Sequence, residues 1–448
     1  MGNFSKFGFI LATLGSSIGL GHIWRFPYMA GVSGGGAFVV LYLFLTLTIG
    51  ISMLLSDMII GNRGKKDMVS CYEALDPTPS KPWRISGICL VGGPIILSFY
   101  AVVLGWILYY LFVVSFDLPQ SLEYSQSQFG DLLNHSVYWQ ILGFSLCLFS
   151  TAWIVCKGIK DGIEKLNFVL MPLLFVIFIG LLIYAMFMPS FGRAFEFMFV
   201  FHPEKITTKV LVDSLGQVFF SLSLGVGTII TYAASTSPKE NLLKSALWVV
   251  IPGILISLVA GLIIFSLIFE YGGQPQEGAG LVFVSLPLIF GKMGLAGNVI
   301  ALLFFCALIF AGITSTVSLL EPFVLYLINR FKFTRLKATF WVSFVVYALG
   351  LCVIASVNGA TAGAFTFGSK SFFDWADTLT SSAIMPLGGL FSIVFIGWFL
   401  GKEKVAGFTE HFLGNKTFEV WFFILRYICP LVILVILLSP LFKDFFGE

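Results

Sequence analysis

Gly15-Ser-Ser-Ile-Gly-Leu-Gly-His-Ile-Trp-Arg-Phe-Pro27 is the stretch of sequence that decides the fold. It lies within an apolar run that begins near Phe7, so we expect it at membrane depth. It nevertheless carries glycines, serines, a histidine and an arginine, and hydrocarbon penalises exposed backbone and charge. A broken helix is tolerated there only where it lines a cavity or binds something. Its free N–H and C=O groups can then hold an anion and a cation.

An alternative interpretation treats Gly19-Leu-Gly21 as a helix-packing spot, since small residues often let membrane helices approach closely. His22 and Arg25 lie in the same segment, and ionisable residues inside a membrane span usually mark a functional site. We therefore favour a binding site at this break.

The composition places the chain among multi-pass membrane proteins. Of its 448 residues, 58% are hydrophobic and only 11% are charged, and the mean hydropathy is +0.97. The seven cysteines lie mostly in apolar runs without framework spacing, which is typical of packing residues. No nucleotide-binding loop, metal-ligand cluster or nucleophile motif is present, so an ATP-driven machine or an enzyme is not predicted.

Hydropathy predicts an all-α membrane protein with about eleven transmembrane helices. The predicted spans are 7–32, 37–60, 86–116, 137–156, 165–188, 210–235, 242–270, 296–328, 338–355, 380–400 and 418–442. Most of the 26 lysines and arginines fall in segments that share a side with the N-terminus. The positive-inside rule then predicts a plasma (inner) membrane protein with a cytoplasmic N-terminus and an extracytoplasmic C-terminus.

A second interruption, Phe220-Ser-Leu-Ser-Leu-Gly-Val-Gly-Thr228, falls in the sixth span. Paired interruptions at equivalent positions predict a 5+5 inverted repeat with broken helices 1 and 6 and a binding site near the membrane midplane. We divide the single domain 1–448 into a first repeat over 7–188, a second over 210–400 and an eleventh span over 418–442. The short apolar segment 274–290 is predicted to be a re-entrant lid.

At this point the sequence resembles the neurotransmitter:sodium symporter family, in its bacterial amino-acid transporter branch with the LeuT fold. The motifs that carry the resemblance are Gly19-Leu-Gly-His-Ile-Trp-Arg-Phe-Pro27, Gly34-Gly-Gly-Ala-Phe38, Ser98-Phe-Tyr100, Phe220-Ser-Leu-Ser-Leu-Gly225, Ile230-Thr-Tyr232 and Ala311-Gly-Ile-Thr-Ser315. They cover nearly the whole chain in the family's order. The family usually has twelve spans, whereas eleven are predicted here.

The resemblance implies one Na⁺ at the family's second sodium site. Its ligands would be the carbonyls of Gly15, Ile18 and Ala311 and the hydroxyls of Thr314 and Ser315. Hard oxygen donors without a carboxylate suit a monovalent cation. Taken alone, these two hydroxyls are more simply explained as bonding back to their own helix, which is common in membranes.

The resemblance also implies a pocket for an amino acid. Leu20 and Gly21 amides and the Tyr100 hydroxyl would hold the carboxylate, at a helix start that favours anions. The remaining predicted pocket residues are Ser17, Phe220, Ser221 and Ser223, whose carbonyls would hold the ammonium, and Ile96, Gly225, Val226, Ser318 and Leu319 around the substrate. This lining predicts an apolar or small neutral amino acid.

The family's gates are matched only in part. Arg25 and Asp377 are predicted to form the outer gate pair, with Asp374 as the alternative if the register differs. The family's N-terminal arginine of the inner gate has no counterpart, and its aspartate partner aligns with Asn329. Either inward opening is easier in this chain or other contacts seal the inner side.

The clearest departure concerns the family's first sodium site, which uses one asparagine on span one and another on span seven. Here the two positions hold His22 and Gly253, so we predict that this site is absent. Two protonation states of the His22 imidazole are consistent with the absence of a sodium ion at this site. The His22 imidazole is either neutral, acting as a structural plug, or protonated. A protonated imidazole would take part in proton coupling or would accompany a chloride held by Tyr42, Gln217, Ser221 and Ser257.

The leading functional hypothesis is a secondary active transporter that carries a neutral amino acid into the cell by alternating access, coupled to Na⁺. The runner-up is a sodium-independent carrier, proton-coupled through His22 or facilitative. The third hypothesis is a non-transporting amino-acid receptor or a subunit of a larger complex. The predicted partners are the amino acid and the lipid bilayer, without nucleic acid, and the oligomeric state stays open.

Overall fold

The computed structural model describes residues 4–273 and 280–446, which form an almost entirely helical bundle. The helices in chain order are α1 (Lys6–Ser17), α2 (Gly21–Val32), α3 (Gly36–Gly64), α4 (Met68–Leu75), α5 (Pro82–Val114), α6 (Leu122–Asn134), α7 (Val137–Cys156), α8 (Ile159–Met186), α9 (Phe191–Phe199), α10 (Thr208–Ser221), α11 (Thr228–Ala234), α12 (Leu242–Glu270), α13 (Leu281–Lys292), α14 (Leu295–Phe331), α15 (Arg335–Val357), α16 (Phe372–Phe399), α17 (Lys402–Thr409) and α18 (Asn415–Val435). A short antiparallel hairpin of β1 (Thr366–Phe367) and β2 (Lys370–Ser371) precedes α16.

Nine helices in the described part of the chain are long and apolar enough to cross a membrane, or ten when the bent pair α1 and α2 is one span. The sixth predicted span, 210–235, corresponds to the two shorter helices α10 and α11, which are separated by residues 222–227. The observed bounds of α7 and α12 equal the predicted ones. The largest difference is at α16, which begins at Phe372 because Ser371 and Asp374 form a capping box there.

The first predicted break is present. Helices α1 and α2 meet at an angle of 49°, and Ile18 between them leaves the helical region with φ −75° and ψ 84°. Helix α2 opens with a π-helical turn, Gly21–Arg25, a feature that is frequent at functional sites. The break therefore exposes backbone groups of both helix ends inside the bundle.

The second break is held open by left-handed backbone. Ser223, Gly225 and Gly227 all have positive φ values, of 51°, 84° and 81°. A Cβ atom on Gly225 would lie 2.0 Å from the Met385 carbonyl oxygen, so only glycine fits against α16 at this point. Tight packing on a neighbouring span thus positions the broken backbone.

Only part of the predicted lid 274–290 can be compared, since residues 274–279 lie outside the described residues. The rest of it belongs to α13, a helix of 12 residues that is too short to span a membrane. Phe283 of this helix packs edge-on against Trp24 and Trp106, with ring centroids 5.7 and 5.9 Å apart. Helix α13 therefore covers the bundle next to the first break, on the side where Trp24 and Trp106 lie.

Candidate functional site

The two breaks face one cavity between α5 and α14. The cavity is lined by Ser16, Ser17, Gly19, Gly21, Ile96, Tyr100, Phe220, Ser223, Val226, Ser315, Ser318, Leu319 and Met385. Segments more than 200 residues apart in the chain thus converge on one space at the middle of the bundle.

Most of the predicted pocket residues line this cavity, and Leu20, Ser221 and Gly225 do not. Leu20 contributes its N–H to the Tyr100 hydroxyl, the Ser221 hydroxyl donates to the Gln217 carbonyl, and Gly225 packs against Met385. These three residues therefore support the residues of the cavity wall and do not line the cavity themselves.

Three cavity residues were missed by sequence reasoning: Ser16, Gly19 and Met385. Ser16 and Gly19 were detectable, because they lie within the first break. Met385 follows a π-helical turn in α16 that has no clear sequence signal.

The polar groups of the cavity are arranged around the first break. The Leu20 N–H donates to the Tyr100 hydroxyl at 2.9 Å, and the Ser223 hydroxyl donates to the Ser16 carbonyl at 2.9 Å. Among the described residues, the hydroxyls of Ser16 and Ser17 have no hydrogen-bond partner although they are buried. Unpaired buried polar groups are costly unless something binds them, which favours a polar ligand here.

Gly19 is essential for the shape of the cavity. A Cβ atom on this residue would lie 2.4 Å from the Ser315 hydroxyl oxygen and 2.6 Å from that of Tyr100. Any side chain would push these two hydroxyls away from the break. The glycine therefore lets the hydroxyls of α5 and α14 reach the broken backbone.

Phe220 covers the cavity beside Gly21, where an added Cβ atom would lie 2.5 Å from its ring. The Arg25 guanidinium stacks over this ring, 4.6 Å from the centroid. Arg25, Phe220 and Asp377 also line a larger vestibule, together with Lys209 and Asp213. A layer of one aromatic ring and one cation thus separates the vestibule from the cavity.

The predicted outer gate pair is not closed in this conformation. Arg25 and Asp377 share the vestibule, but within the described ranges they form no ion pair, and Arg25 packs on Phe220 instead. The carboxylate of Asp374, the register alternative, accepts from the Ser371 hydroxyl and caps α16. Asp377 and Asp213 are the carboxylates that share the vestibule with Arg25.

The structure brings residues of the predicted sodium site together from α1 and α14. The Ser315 hydroxyl lies 3.4 Å from the Gly15 carbonyl and 3.5 Å from that of Ser16. The Thr314 hydroxyl donates to the Phe310 and Ala311 carbonyls, so it bonds back to its own helix. A hydroxyl that donates in this way keeps lone pairs that can bind a cation, so both interpretations of Thr314 are compatible.

Asn167 on α8 was also missed by sequence reasoning. Its side-chain N–H donates to the Ile163 carbonyl, while its Oδ1 atom is buried and has no partner in the part of the chain that the structure describes. An ideal Cβ on Gly15 would lie 1.8 Å from this oxygen and 3.2 Å from Thr314 Cβ. Asn167 thus places a further unpaired oxygen against the backbone of the predicted sodium site.

His22 is fully buried, and its Nε2 atom faces Gly253 of α12, where an added Cβ would lie only 3.0 Å away. Its Nδ1 atom has no hydrogen-bond partner among the described residues. The imidazole thus occupies the space that a side chain at position 253 would need.

The residues of the predicted chloride site also come together. The Tyr42 hydroxyl donates to Ser221 at 3.4 Å, and Gln217 donates to Ser221 and to the Gly21 carbonyl. Ser257 lies beside the Tyr42 hydroxyl, and all four side chains are buried. In this conformation Gln217 ties the second broken span to the first.

Several contacts tie the start of α1 to neighbouring helices. Phe4 packs edge-on against Tyr232 at 5.5 Å, and its N–H donates to the Ser235 carbonyl. The Ser5 hydroxyl donates to the Glu164 carboxylate. Asn329, at the position of the family's aspartate, donates to Asp67 at 2.8 Å. These contacts connect α1 to α8 and α11, and α14 to the start of α4.

Comparison of the sequence with known protein families identifies the family of this chain. The sequence profile of the sodium:neurotransmitter symporter family matches residues 3–128 and 120–444. The chain belongs to the sodium:neurotransmitter symporter family. It is therefore a multi-pass membrane transporter and not an enzyme, as the sequence predicted.

Relatives of this symporter extend over nearly its whole length. A Bacillus subtilis (strain 168) protein, named an uncharacterized sodium-dependent transporter, YhdH, is 33% identical over 441 residues, which are 97% of this chain and 96% of the relative. The Drosophila melanogaster sodium-dependent serotonin transporter is 24% identical over 99% of this chain and 77% of its own.

The crystal structure of MhsT in complex with L-phenylalanine superposes on this symporter with a TM-score of 0.90. The two are 34% identical over 98% of this chain and 99% of that one. The predicted all-α membrane fold is confirmed, and the helix count agrees roughly.

Proposed function

We propose that this symporter carries a neutral amino acid, apolar or small, into the cell by alternating access. The proposal rests chiefly on the cavity in which both broken spans present backbone and hydroxyl groups to one space. A zwitterion needs an anion site and a cation site close together, and broken helix ends supply both. Ile96, Val226 and Leu319 provide the apolar part of the wall.

The carboxylate would bind at the start of α2, where the Gly21 amide and the Tyr100 hydroxyl face the cavity. The ammonium would bind carbonyls at the end of α1 and at the second break, near Ser17 and Ser223. The unpaired hydroxyls of Ser16 and Ser17 support a polar occupant. MhsT, which has the same fold, is bound to L-phenylalanine in its crystal structure.

One Na⁺ would bind the carbonyls of Gly15, Ile18 and Ala311 with the hydroxyls of Thr314 and Ser315. This ion would link α1 to α14, because its ligands come from both helices. Sodium binding would thereby favour the conformation in which the first break is ordered and the substrate site is complete. The names of the relatives, which are sodium-dependent transporters, support this coupling.

The first sodium site would be replaced by His22, whose ring already fills the space beside Gly253. A second candidate function follows from the same residue, because a buried imidazole with an unpaired nitrogen can carry a proton. The symporter would then be a proton-coupled, sodium-independent carrier.

Uptake of a panel of neutral amino acids into proteoliposomes, with sodium and pH gradients imposed separately, tests both functions. We expect uptake driven by sodium, which Thr314→Val abolishes. Thr48→Val is the matched control, since Thr48 also bonds back to its own helix but lies far from the cavity. Uptake that needs only a pH gradient and is lost in His22→Asn would overturn sodium coupling. Absence of saturable uptake for every amino acid would overturn the transport proposal.

A further inference from the structure

A long groove runs between α7 and α15, away from the substrate cavity. Its apolar walls include Phe149 and Trp153 on α7 and Phe340 and Phe344 on α15, and all four side chains are more than half exposed. The groove encloses about 700 Å³. A groove of this size on the outside of a membrane protein faces lipid, not water.

The two helices touch at both ends of the groove and separate between them. At one end the Phe144 ring fills the space beside Gly350 and stacks on Tyr347, with ring centroids 5.2 Å apart. At the other end Arg335 donates to the Val155 carbonyl at 2.9 Å. The groove is therefore held in shape by the protein and does not depend on a ligand to open it.

The length of the groove matches one leaflet of a bilayer. Its lining on α15 extends from Leu336 to Tyr347, about 16 Å at the rise of an α-helix. Half of a hydrocarbon core that is about 30 Å thick is about 15 Å. A single acyl chain entering from one membrane surface would fill the groove to its closed end.

The mouth of the groove, near Arg335, is basic. Lys157 lines the groove, with its ammonium 4.8 Å from the Trp153 ring, and Lys160 and Lys337 lie within a few residues of the mouth. Within the described ranges, none of these three lysines forms an ion pair. Arg335 is neutralised by Glu321, so the free positive charge belongs to the lysines.

Two hydroxyls beneath the wall of the groove lack partners among the described residues. Thr339 Oγ1 and Ser343 Oγ are buried and make no hydrogen bond with the described residues, although serine and threonine in membrane helices usually bond back one turn. They lie about one and two turns along α15 from Arg335. Because both hydroxyls are covered by neighbouring atoms, the groove surface above them stays apolar.

From these features we infer that the groove between α7 and α15 is a binding site for an anionic phospholipid. The phosphate lies at Lys157, and one acyl chain follows the aromatic walls. Charge complementarity selects the anionic headgroup, since a basic mouth favours anionic over zwitterionic lipid by electrostatic attraction. This inference does not depend on which solute or ion the symporter carries.

Native mass spectrometry of the purified symporter tests the proposal, with phosphatidylglycerol and phosphatidylcholine of identical acyl chains as probes. We expect preferential binding of one phosphatidylglycerol. Lys157→Gln should weaken this binding about fivefold, the effect of one lysine near an anionic headgroup. Lys416→Gln is the matched control, because Lys416 is equally exposed but lies outside the groove.

A second variant, Ala152→Trp, fills the groove and leaves its charges in place, and it should also remove the bound phosphatidylglycerol. Equal binding of the two lipids, or equal weakening in Lys157→Gln and Lys416→Gln, would show that only diffuse surface charge is involved and overturn the site. Retention of the lipid in Ala152→Trp would also overturn it. A dimer that dissociates in Ala152→Trp would make a second copy of the chain the occupant.

Discussion

His22 and Gly253 are complementary in space: an ideal Cβ on Gly253 would lie 3.0 Å from His22 Nε2. The family that the sequence resembles has an asparagine at each of these two positions. This chain has a larger side chain at position 22 and no side chain at position 253. A large ring at one position requires the absence of a side chain at the other. The two substitutions therefore form one packing unit.

This complementarity predicts non-additive effects. Gly253→Asn alone should destabilise the symporter, because no room remains beside the imidazole. The double variant with His22→Asn should recover stability, with a coupling energy on the order of 0.5–3 kcal/mol. Thermal unfolding of the four proteins of the cycle measures it. Additive effects would show that the two residues do not share one space.

If the double variant also restores the first sodium site, its uptake should depend more steeply on sodium concentration than that of the native symporter. Sodium titrations of uptake at saturating substrate measure the slope. An unchanged slope in a stable double variant would mean that asparagines alone do not rebuild the site.

Tyr100→Phe should weaken substrate binding and lower stability. The change leaves the buried Leu20 N–H without its acceptor, which costs about 1–3 kcal/mol, and removes a proposed ligand of the carboxylate. Uptake should show a raised KM, and the melting temperature should fall. Tyr184→Phe, at a partly exposed position away from the cavity, is the control and should change neither.

Gly225→Ala should strongly impair folding or transport. Its φ of 84° disfavours a side chain, and the new methyl group would overlap the Met385 carbonyl. Backbone strain alone costs on the order of 1–3 kcal/mol, before the overlap is counted. Gly216→Ala, in α10 with open space around it, should be neutral or slightly stabilising. Comparable melting temperatures for the two variants would contradict this account of the second break.

Glu321→Gln should destabilise the end of the bundle where α14 meets the start of α15. The Glu321 carboxylate is fully buried and accepts two hydrogen bonds of 2.8 Å from Arg335. Loss of one partner of a buried ion pair costs about 3–5 kcal/mol, because the other charge stays behind. Glu419→Gln breaks the exposed pair with Lys402 and should cost less than about 1 kcal/mol. Thermal unfolding in detergent distinguishes the two outcomes.

Much of the candidate site followed from the sequence. Nine of the twelve predicted pocket residues line the cavity, because local composition marks the breaks and the family resemblance places Tyr100 and Ser318 opposite them. Asn167 and Met385 could not be predicted, since their roles depend on contacts between helices far apart in the chain. The inverted-repeat boundaries and the orientation of the termini stay predictions.

The sequence by itself determined that this is a helical membrane protein with two broken spans. Glycines, serines and ionisable groups in long apolar runs leave few arrangements that hydrocarbon tolerates. The tertiary structure decided which side chains meet. It stacked Arg25 on Phe220 instead of pairing it with Asp377, and it placed the His22 ring in the space beside Gly253. Such contacts depend on how distant helices pack, and close packing of whole side-chain shapes is not encoded in any local pattern.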